Sequence, residues 1–361
     1  MLIGELADLG LVLEESAAAL GTPGRPSSLV EPRKSGAVVL AIDIAVDSLA
    51  GAIVGFGGDI LDMIRVDRPR GRISADQTVA DSVEIAEMLL DRTGTRQALV
   101  GIGVGVVGLV RRSDGMVHFA PNLHWHDVPL GNRLAKALNA TVPLVVANDA
   151  DLGVLAEHRR GAAVHAENVV YVSGEVGVGG GVIVDGRHLT GVAGYAGEVG
   201  HIPVNPEGGA CRCGSFGCLE TEIGEGALLR RAGHAAGGGR TAVDRVMAEA
   251  ADGVPAALSA LDTTGRWLGV GLAPLTNLFD PEVIVLGGLF ERLYPFVAAS
   301  VEAELDKRAL RTSRELVLVV PAKLGIGATL VGAAELAFEP LLCDPISLMQ
   351  TRTNALIPEA I

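Results

Sequence analysis

The order of apolar segments along the chain repeats once, and this repeat constrains the fold more than any other feature. From Ala37 onwards, three strand-like segments are followed by an amphipathic helix, a fourth strand and a second helix. The same β-β-β-α-β-α order recurs in outline from Glu167. The segments of the first copy are AVVLAIDIAV, LAGAIVGF, DILDMIRVD, TVADSVEIAEMLLDR, QALVGIGVGVV and LGNRLAKALN. The repeat predicts two similar α/β lobes with a cleft between them.

Composition fits this interpretation and excludes other classes of protein. The chain has 361 residues, of which 49% are apolar and 3% aromatic, so valine and alanine must fill layers large enough for two cores. Nothing resembles a signal peptide or a membrane span, so we expect a cytoplasmic protein with reduced thiols and no membrane partner. The formal net charge of −14 argues against nucleic-acid binding by the whole body, although it does not exclude a small basic appendage.

A glycine-rich run matches a dinucleotide-binding pattern but has the wrong surroundings. Gly103, Gly105 and Gly108 fit G-x-G-x-x-G, which needs a helix to begin at the loop. The residues that follow, LVRRSDGMVHF, predict two strands joined by a Ser-Asp-Gly turn. We therefore interpret the run as a glycine-rich strand end. A second run, Gly177 to Gly181, is expected between two strands and fails the same test.

Three of the four cysteines lie in one short segment, GHIPVNPEGGACRCGSFGCLE. Cys211 and Cys213 are too close in sequence to pair easily with each other, and glycines at 214 and 217 let the chain bring Cys218 beside them. With His201 they form a His/Cys₃ set suited to a closed, tetrahedral structural zinc site. The alternative is an extracellular disulfide run, but only Cys343 remains as a further partner.

Carboxylates and amides flank the cysteines in the sequence or end nearby predicted strands. They are Asn122, Asn148, Asp149, Glu198 and Glu220. Side chains of this kind that converge on a cleft suit a polyhydroxylated ligand, because each can bridge two hydroxyls. Taken singly, each is better explained as a cap or turn residue. Asp151 and Glu157 are interpreted as a cap and as a helix-surface residue.

These segments resemble one protein family. AGEVGHIPVNPEGGACRCGSFGCLET is similar to the signature of the ROK family, which groups sugar-responsive repressors, open reading frames and sugar kinases. The resemblance continues through VVGLV, APNLHW, ANDAD, DGRHLTGVAGYAGE, LTNLFDPEVIVLGG and GATLVGAA, and so covers essentially all of residues 37–340.

The resemblance implies an α/β, actin-like (ribonuclease H-like) fold of two lobes with sugar in the cleft. The implied domains are residues 36–147 and 148–327, with a helix at about 328–345 packing back on the first lobe. It also implies which residues bind the ligands. Zinc would be bound by His201, Cys211, Cys213 and Cys218, and sugar by Asn122, Asn148, Asp149, Glu198, His201 and Glu220. His201 would serve both, with one ring nitrogen for each.

In the kinases of the family, Asp149 would be the general base, but the phosphate loops depart from the kinase pattern. The first loop, Asp-x-Gly-Gly-Thr in kinases, is here DIAVD at 43–47. The second, Gly-Thr-Gly, is here Gly174-Glu175-Val176. Side chains replace glycines, and Asp47 and Glu175 add negative charge where phosphates should lie. We therefore do not expect ATP or Mg²⁺ to bind, and Asp149 becomes a sugar ligand with a vestigial catalytic role.

Residues 1–35 resemble the end of a winged helix-turn-helix domain, with LIGELADLGLV as its last helix and GRPSS as the wing. Arg25 would then reach DNA, although a flexible linker explains Arg25 equally well. The chain begins inside that helix, so operator binding is expected only if the native protein has the preceding helices.

The sequence therefore predicts a sugar-responsive transcriptional regulator that forms a homodimer or homotetramer. The alternatives are a glucokinase-like sugar kinase with Asp149 as its base, and a sugar-binding protein without DNA activity.

Overall fold

The computed structural model describes residues 2–16, 28–71 and 73–349, and Arg25 lies outside them. The N-terminal segment consists of α1 (Leu2–Asp8) and an antiparallel pair, β1 (Val12–Ser16) and β2 (Ser28–Pro32). The sequence analysis predicts no strand at residues 28–32, where the structure has β2. Local composition there is typical of a loop, but pairing with β1 decides the conformation, since Val12 lies opposite Pro32.

The first lobe contains a five-stranded sheet, a small three-stranded sheet and two helices. In chain order these elements are β3 (Val38–Ile44), β4 (Ser48–Gly55), β5 (Ile60–Asp67), α2 (Ala75–Thr93), β6 (Leu99–Val106), β7 (Leu109–Arg111), β8 (Met116–Ala120), β9 (Trp125–Pro129), α3 (Leu130–Ala137) and β10 (Leu144–Asn148). Helix α4 (Asp149–Arg160) follows β10 and begins the second lobe. The small sheet has the order β7-β8-β9 and follows directly after β6.

The second lobe contains another five-stranded sheet and is covered by longer helices. Its elements are β11 (Val169–Gly174), β12 (Val178–Val184), β13 (Arg187–His188), α5 (Leu219–Ile223), α6 (Glu225–Arg231), α7 (Gly239–Ala251), α8 (Pro255–Phe279), β14 (Val283–Gly288), α9 (Leu289–Arg308), α10 (Arg311–Leu316), β15 (Leu318–Pro321) and α11 (Ala328–Cys343).

The two large sheets have the same topology. The first has the order β10-β6-β3-β4-β5, and the second has the order β15-β14-β11-β12-β13. In each, the first strand pairs antiparallel with the second and parallel with the fourth. The repeat read from the sequence is therefore present as a duplicated sheet. Turns between the first two strands, at residues 45–47 and 175–177, occupy equivalent positions in the two lobes.

Helix α11 belongs to the end of the chain but packs on β6 and β3 of the first lobe, and also on α4. The segment Gly325–Cys343 is long and apolar enough to cross a membrane, yet 61% of its apolar window is buried in the fold. Glycines in β6 make its close approach possible. A Cβ at Gly103 would lie 2.1 Å from the carbonyl oxygen of Ala333. Gly103 and Gly105 thus serve helix packing, and β7 rather than a helix follows the run, as predicted.

The second glycine run differs in part from its prediction. Only Gly177 lies in the turn, while Gly179 to Gly181 lie inside β12. A Cβ at Gly181 would lie 2.5 Å from Val154 on α4, and one at Gly180 would lie 2.4 Å from Val199. Tertiary packing therefore places these glycines within a strand that local propensity disfavours.

Two polar residues of α4 also differ from their predicted roles. Asp151 is not the cap of α4, because Asn148 accepts the backbone N–H groups of Ala150 and Asp151. The Asp151 carboxylate instead lies 2.9 Å from Nε2 of His188. Glu157 is fully buried rather than on the surface, and its carboxylate accepts backbone N–H groups from Ala162, Lys323 and Leu324. A helical pattern cannot reveal these contacts, because His188, Lys323 and Leu324 lie far from α4 in the sequence.

Candidate metal centre and inter-lobe cavities

The metal candidate is formed by a loop that leaves a short helical turn and returns at the start of α5. His201 ends the turn Val199–His201, and Cys218 is the residue before α5. Between them the chain reverses with φ of +95° at Gly214 and +63° at Gly217, as the sequence analysis expected of these two glycines. At Gly217 a Cβ would lie 1.7 Å from the carbonyl oxygen of Asn205, so no other residue fits.

The four predicted ligand atoms lie within 4.8 Å of one another. Cys213 and Cys218 have their sulfurs 3.7 Å apart, and Cys211 Sγ lies 3.6 Å from His201 Nδ1. Tetrahedral zinc with bonds of about 2.3 Å to sulfur and about 2.0 Å to nitrogen requires S···S and S···N edges of about 3.8 and about 3.5 Å. The donor set and its spacing therefore fit a four-coordinate metal. None of the four cysteines forms a disulfide in this structure.

Carboxylates lie directly beside the metal candidate. Nε2 of His201 lies 3.8 Å from Glu198, on the opposite side of the ring from Nδ1. Glu220 lies with one carboxylate oxygen 3.8 Å from Cys211 Sγ, while the other accepts the backbone N–H of Val178 at 2.9 Å. The loop therefore connects the cluster to two carboxylates whose positions it helps to define.

A cavity of about 210 Å³ lies beside this loop, between the two lobes. All six residues that the sequence analysis assigned to sugar line it: Asn122, Asn148, Asp149, Glu198, His201 and Glu220. They come from four separate parts of the chain, namely the loop after β8, the start of α4, the turn before the metal loop and α5. The remaining wall of the cavity is largely apolar and includes Val46, Leu109, Phe119 and Val176. Carboxylates opposite an apolar wall suit a ring with hydroxyls at its edge and a hydrophobic face.

Asn148 and Asp149 join β10 to α4 and line this cavity, which is called the smaller cavity because a larger cleft is described below. Asn148 donates its amide to the carbonyl oxygen of Gly108, so its side chain links α4 to the loop before β7. Asp149 is the first residue of α4, and burial raises the pKa of its carboxyl to about 6, while the N–H groups at the helix start partly oppose that rise. Burial likewise raises the pKa of Glu198 to about 7.

Arg212 is a residue that the sequence analysis missed. It lies between the ligands Cys211 and Cys213, lines the smaller cavity, and donates a hydrogen bond to the amide oxygen of Asn122 in the first lobe. Its position inside the C-x-C motif could have indicated this contact, because two flanking metal ligands would fix the direction in which its side chain points. The metal loop thus contacts both lobes.

A second cleft, of about 720 Å³, lies on the other side of the turns that replace the phosphate loops. Each turn contributes a valine to the smaller cavity, Val46 from the first and Val176 from the second, and each contributes an acid to the larger cleft, Asp47 and Glu175. Among the described residues that line the two spaces, Glu175 is common to both. Glu175 therefore marks the place at which the two spaces adjoin.

From Asp47 and Glu175, the sequence analysis predicts an acidic phosphate site. The larger cleft differs from this prediction because it also contains basic residues. Five arginines also line it: Arg65, Arg68, Arg70, Arg240 and Arg292. Asp47 is paired with Arg70 at 2.8 Å, and because Arg70 also pairs with Glu225, the charge of Asp47 is partly compensated. Glu175 is different, because burial raises the pKa of its carboxyl to about 7. These arginines lie far from the phosphate loops in sequence, and only the fold brings them there.

Comparison with known proteins agrees with this geometry. The model of the ROK family matches residues 39–339. A glucokinase of Streptomyces coelicolor is 32% identical over 335 residues, covering 86% of this chain and 99% of the glucokinase. A putative xylose repressor of Caldicellulosiruptor sp. is 28% identical over 356 residues, covering 95% of this chain and 88% of the repressor.

A solved ROK family transcriptional regulator, described as a homologue of the E. coli MLC protein, has the same fold. It superposes with a TM-score of 0.78 at 27% identity, over 97% of this chain and 89% of the regulator. The mixed α/β fold shared by ROK regulators and sugar kinases is thereby confirmed, together with a His/Cys cluster able to bind a metal. The resemblance recognised in the sequence is correct: the chain belongs to the ROK family and resembles the regulators of that family.

Proposed function

We propose that this protein is a ROK-type transcriptional repressor whose body senses a sugar in the smaller cavity. The proposal keeps the domains predicted from the sequence, with lobes at 36–147 and 148–327 and residues 1–35 as the end of a winged helix-turn-helix. Zinc is the metal that best suits the His/Cys₃ set. The protein acts in the cytoplasm as a homodimer or homotetramer.

The observation that carries this proposal is the set of side chains that replaces the phosphate-loop glycines where the two spaces adjoin. A kinase must pass a phosphoryl group from nucleotide to sugar along an open path. Val46 and Val176 line the smaller cavity, Asp47 lines the larger cleft, and Glu175 lines both among the described residues. Side chains, one of them an acid, therefore occupy the place at which a nucleotide's phosphates would have to approach a sugar held by Asp149.

Each polar residue of the smaller cavity has a role in this proposal. Asp149, Glu198 and Glu220 accept hydrogen bonds from hydroxyl groups of the sugar, and the side-chain amide of Asn122 forms a further hydrogen bond with it. Asn148 holds the start of α4 in place, because its amide already bonds Gly108 and the helix N-terminus. His201 orients Glu198 while its other nitrogen faces the cysteines. The metal supplies rigidity to the loop and takes no part in a reaction.

Signalling would follow from a change in the relative position of the lobes. A sugar that contacts both lobes favours one setting, and in an oligomer this setting changes the spacing of paired DNA-binding arms. The similarity to a regulator over 97% of this chain supports such a mechanism. The contact of Arg25 with DNA belongs to the same proposal.

Two measurements test the proposal together. Thermal unfolding is followed with D-glucose, D-xylose and N-acetyl-D-mannosamine, where a ligand at 100 times its Kd adds ~2.7 kcal/mol of stability. DNA selected from a random pool by the protein, with any residues that precede this chain in its gene, is then titrated with the sugar that binds. Release of the DNA by that sugar is expected, and retention at equal affinity with every sugar would refute the sensor.

One observation favours the kinase alternative. Asp149 lies in the cavity at the start of a helix with a pKa raised to about 6, which suits a general base near neutral pH. The 32% identity to a glucokinase agrees with it. A coupled assay with the same sugars, ATP and Mg²⁺ separates the classes. Turnover in the wild type that is lost in Asp149→Asn would establish the kinase and overturn the regulator.

A further inference from the structure

Three charged side chains join the two lobes across the larger cleft. Arg70 donates from Nη1 and Nη2 to the two carboxylate oxygens of Glu225, both at 2.7 Å. It also donates from Nη2 and Nε to Asp47, at 2.8 and 3.2 Å. We refer to Asp47, Arg70 and Glu225 as the Arg70 clasp. Such two-pronged contacts between guanidinium and carboxylate are among the stronger polar contacts in proteins.

The clasp connects elements that belong to different lobes. Asp47 lies in the turn between β3 and β4, and Arg70 follows β5, so both belong to the first lobe. The backbone N–H of Arg68 donates to the carbonyl oxygen of Asp47 at 2.7 Å, which joins these two segments. Glu225 is the first residue of α6 in the second lobe, where it also accepts the backbone N–H of Gly239.

The clasp is sheltered enough to act as a mechanical link. The side chain of Arg70 is 22% exposed and that of Asp47 is 31% exposed, but that of Glu225 is only 7% exposed. Separation of the lobes would leave the Glu225 carboxylate without its guanidinium partner in a mostly buried position, which is costly. The closed setting of the lobes is therefore favoured without any ligand in the cleft.

The clasp also lies next to the wall of the smaller cavity. Asp47 directly follows Val46, whose side chain lines that cavity. Through Asp47, the guanidinium of Arg70 fixes the turn that carries Val46, and through Glu225 it fixes the distance to the second lobe. The sugar residues divide between the same two bodies, since Asn122 follows β8 and Glu220 lies in α5.

We propose that Arg70 is a positioning residue for the sugar site, which holds the lobes at the separation that sugar recognises and makes sugar binding independent of a nucleotide. This inference rests on the proposed function. Arg70 touches no sugar, because it lines the larger cleft and not the smaller cavity. It acts through the position of Val46 and through the distance between the two groups of sugar ligands.

The test separates positioning from ordinary stabilisation with three variants. Arg70→Ala breaks the bridge but leaves Glu225 buried and unpaired, so it also destabilises the second lobe. Arg70→Ala/Glu225→Gln breaks the same bridge without a buried unpaired charge at position 225, and Asp47, which is 31% exposed, is the carboxylate left without its partner. Arg92→Ala is the matched control, because Arg92 pairs with Asp62 at 2.9 Å within the first lobe and on its surface. Sugar affinity is measured by calorimetry, lobe separation by small-angle X-ray scattering, and stability by thermal unfolding.

Both clasp variants are expected to bind the tightest sugar of the panel at least about 5-fold more weakly. Both should also have a larger radius of gyration than the wild type, while Arg92→Ala matches the wild type in both. The double variant should recover thermal stability relative to Arg70→Ala without recovering sugar affinity. Sugar binding by the double variant at wild-type affinity would overturn the inference and leave the proposed function standing.

If the wild type binds no sugar of the panel, the proposed function fails by itself. The clasp is then judged by scattering alone. A larger radius of gyration in the double variant would support the clasp as the link between the lobes, and an unchanged radius would refute it.

Discussion

The two spaces between the lobes are built from the same turns but differ in what their residues can do. The smaller cavity gathers Asn122, Asp149, Glu198 and Glu220 against an apolar wall, and a loop with a metal-binding geometry supports it. The larger cleft has side chains where a phosphate would need bare backbone, and arginines that are mostly engaged by carboxylates. The polar groups of the smaller cavity face its interior, whereas most arginines of the larger cleft already have carboxylate partners.

This difference shows how a change in two short turns separates recognition from catalysis. In the first turn, valine and aspartate occupy positions 46 and 47, and in the second, glutamate and valine occupy 175 and 176. Valines face the smaller cavity and acids face the larger cleft. Recognition can persist because its residues come from other elements, whereas phosphoryl transfer depends on the turns themselves.

The largest effect is expected from loss of the metal ligands. Cys218→Ser removes one of four donors, so bound zinc should fall from about one per chain to none. Because the loop positions Glu198 and Glu220, sugar affinity should fall by about 10- to 100-fold, together with a marked loss of thermal stability. Zinc is measured by mass spectrometry and sugar affinity by calorimetry.

Cys343→Ser is the matched control, because Cys343 is exposed and lies outside the cluster. It should retain zinc, stability and sugar binding. Chelated protein that remains folded and binds sugar with unchanged affinity would break the link between the metal loop and the smaller cavity.

The next effect concerns Asp43, a buried carboxylate at the end of β3. Burial, followed by the charges of Asp149 and Glu175, raises the pKa of Asp43 from 3.8 to about 7. A raised pKa means that the folded state holds the proton more tightly, so this group lowers stability as pH rises from about 4 to about 7. Asp43→Asn should therefore raise the free energy of unfolding at pH 8 by about 2–4 kcal/mol, and by less at pH 5.

Urea unfolding at the two pH values measures this difference. Asp59→Asn is the control, because Asp59 is half exposed and pairs with Lys34 on the surface. Its effect should be small at both pH values. A loss of stability at pH 8 in Asp43→Asn would show that the carboxylates do not oppose one another there.

A smaller and more local effect is expected at Gly177. A Cβ at this position would lie 2.5 Å from Oε2 of Glu220, which must then move. Gly177→Ala should weaken sugar binding by about 10-fold, equivalent to about 1.4 kcal/mol, with little change in zinc content. Gly209→Ala in the metal loop is the control, since nothing lies within 4 Å of a Cβ there. Equal sugar affinities in the two variants would exclude Glu220 as a ligand.

The sequence predicts the lobes well because their signals are local. Apolar segments such as Val38–Ile44 and Val169–Gly174 are strands, and both sheets share one order. Strand β2 could not be predicted, because Ser28–Pro32 is extended only through its pairing with β1. Glu157 was assigned to a surface for the same reason, since its partners Lys323 and Leu324 follow β15, more than 160 residues away.

For the candidate site, the sequence predicts residues that share a motif and misses those brought there by folding. The metal ligands and the six sugar residues converge as expected. Arg70 was missed because its importance depends on Glu225, which lies 155 residues away. The charge of Asp47 was misjudged for the same reason. Ion pairs between lobes leave no periodic pattern in a sequence, so only the three-dimensional arrangement reveals them.

The central claim is that the smaller cavity works without the larger cleft. Calorimetric titration of the tightest-binding sugar, with and without a saturating non-hydrolysable ATP analogue and Mg²⁺, tests it most directly. We expect the same Kd for the sugar in both titrations, because a nucleotide that does not bind the larger cleft cannot change the relative position of the lobes. A sugar Kd that falls by tenfold or more with the nucleotide would contradict it, since the two spaces would then be coupled as in a kinase.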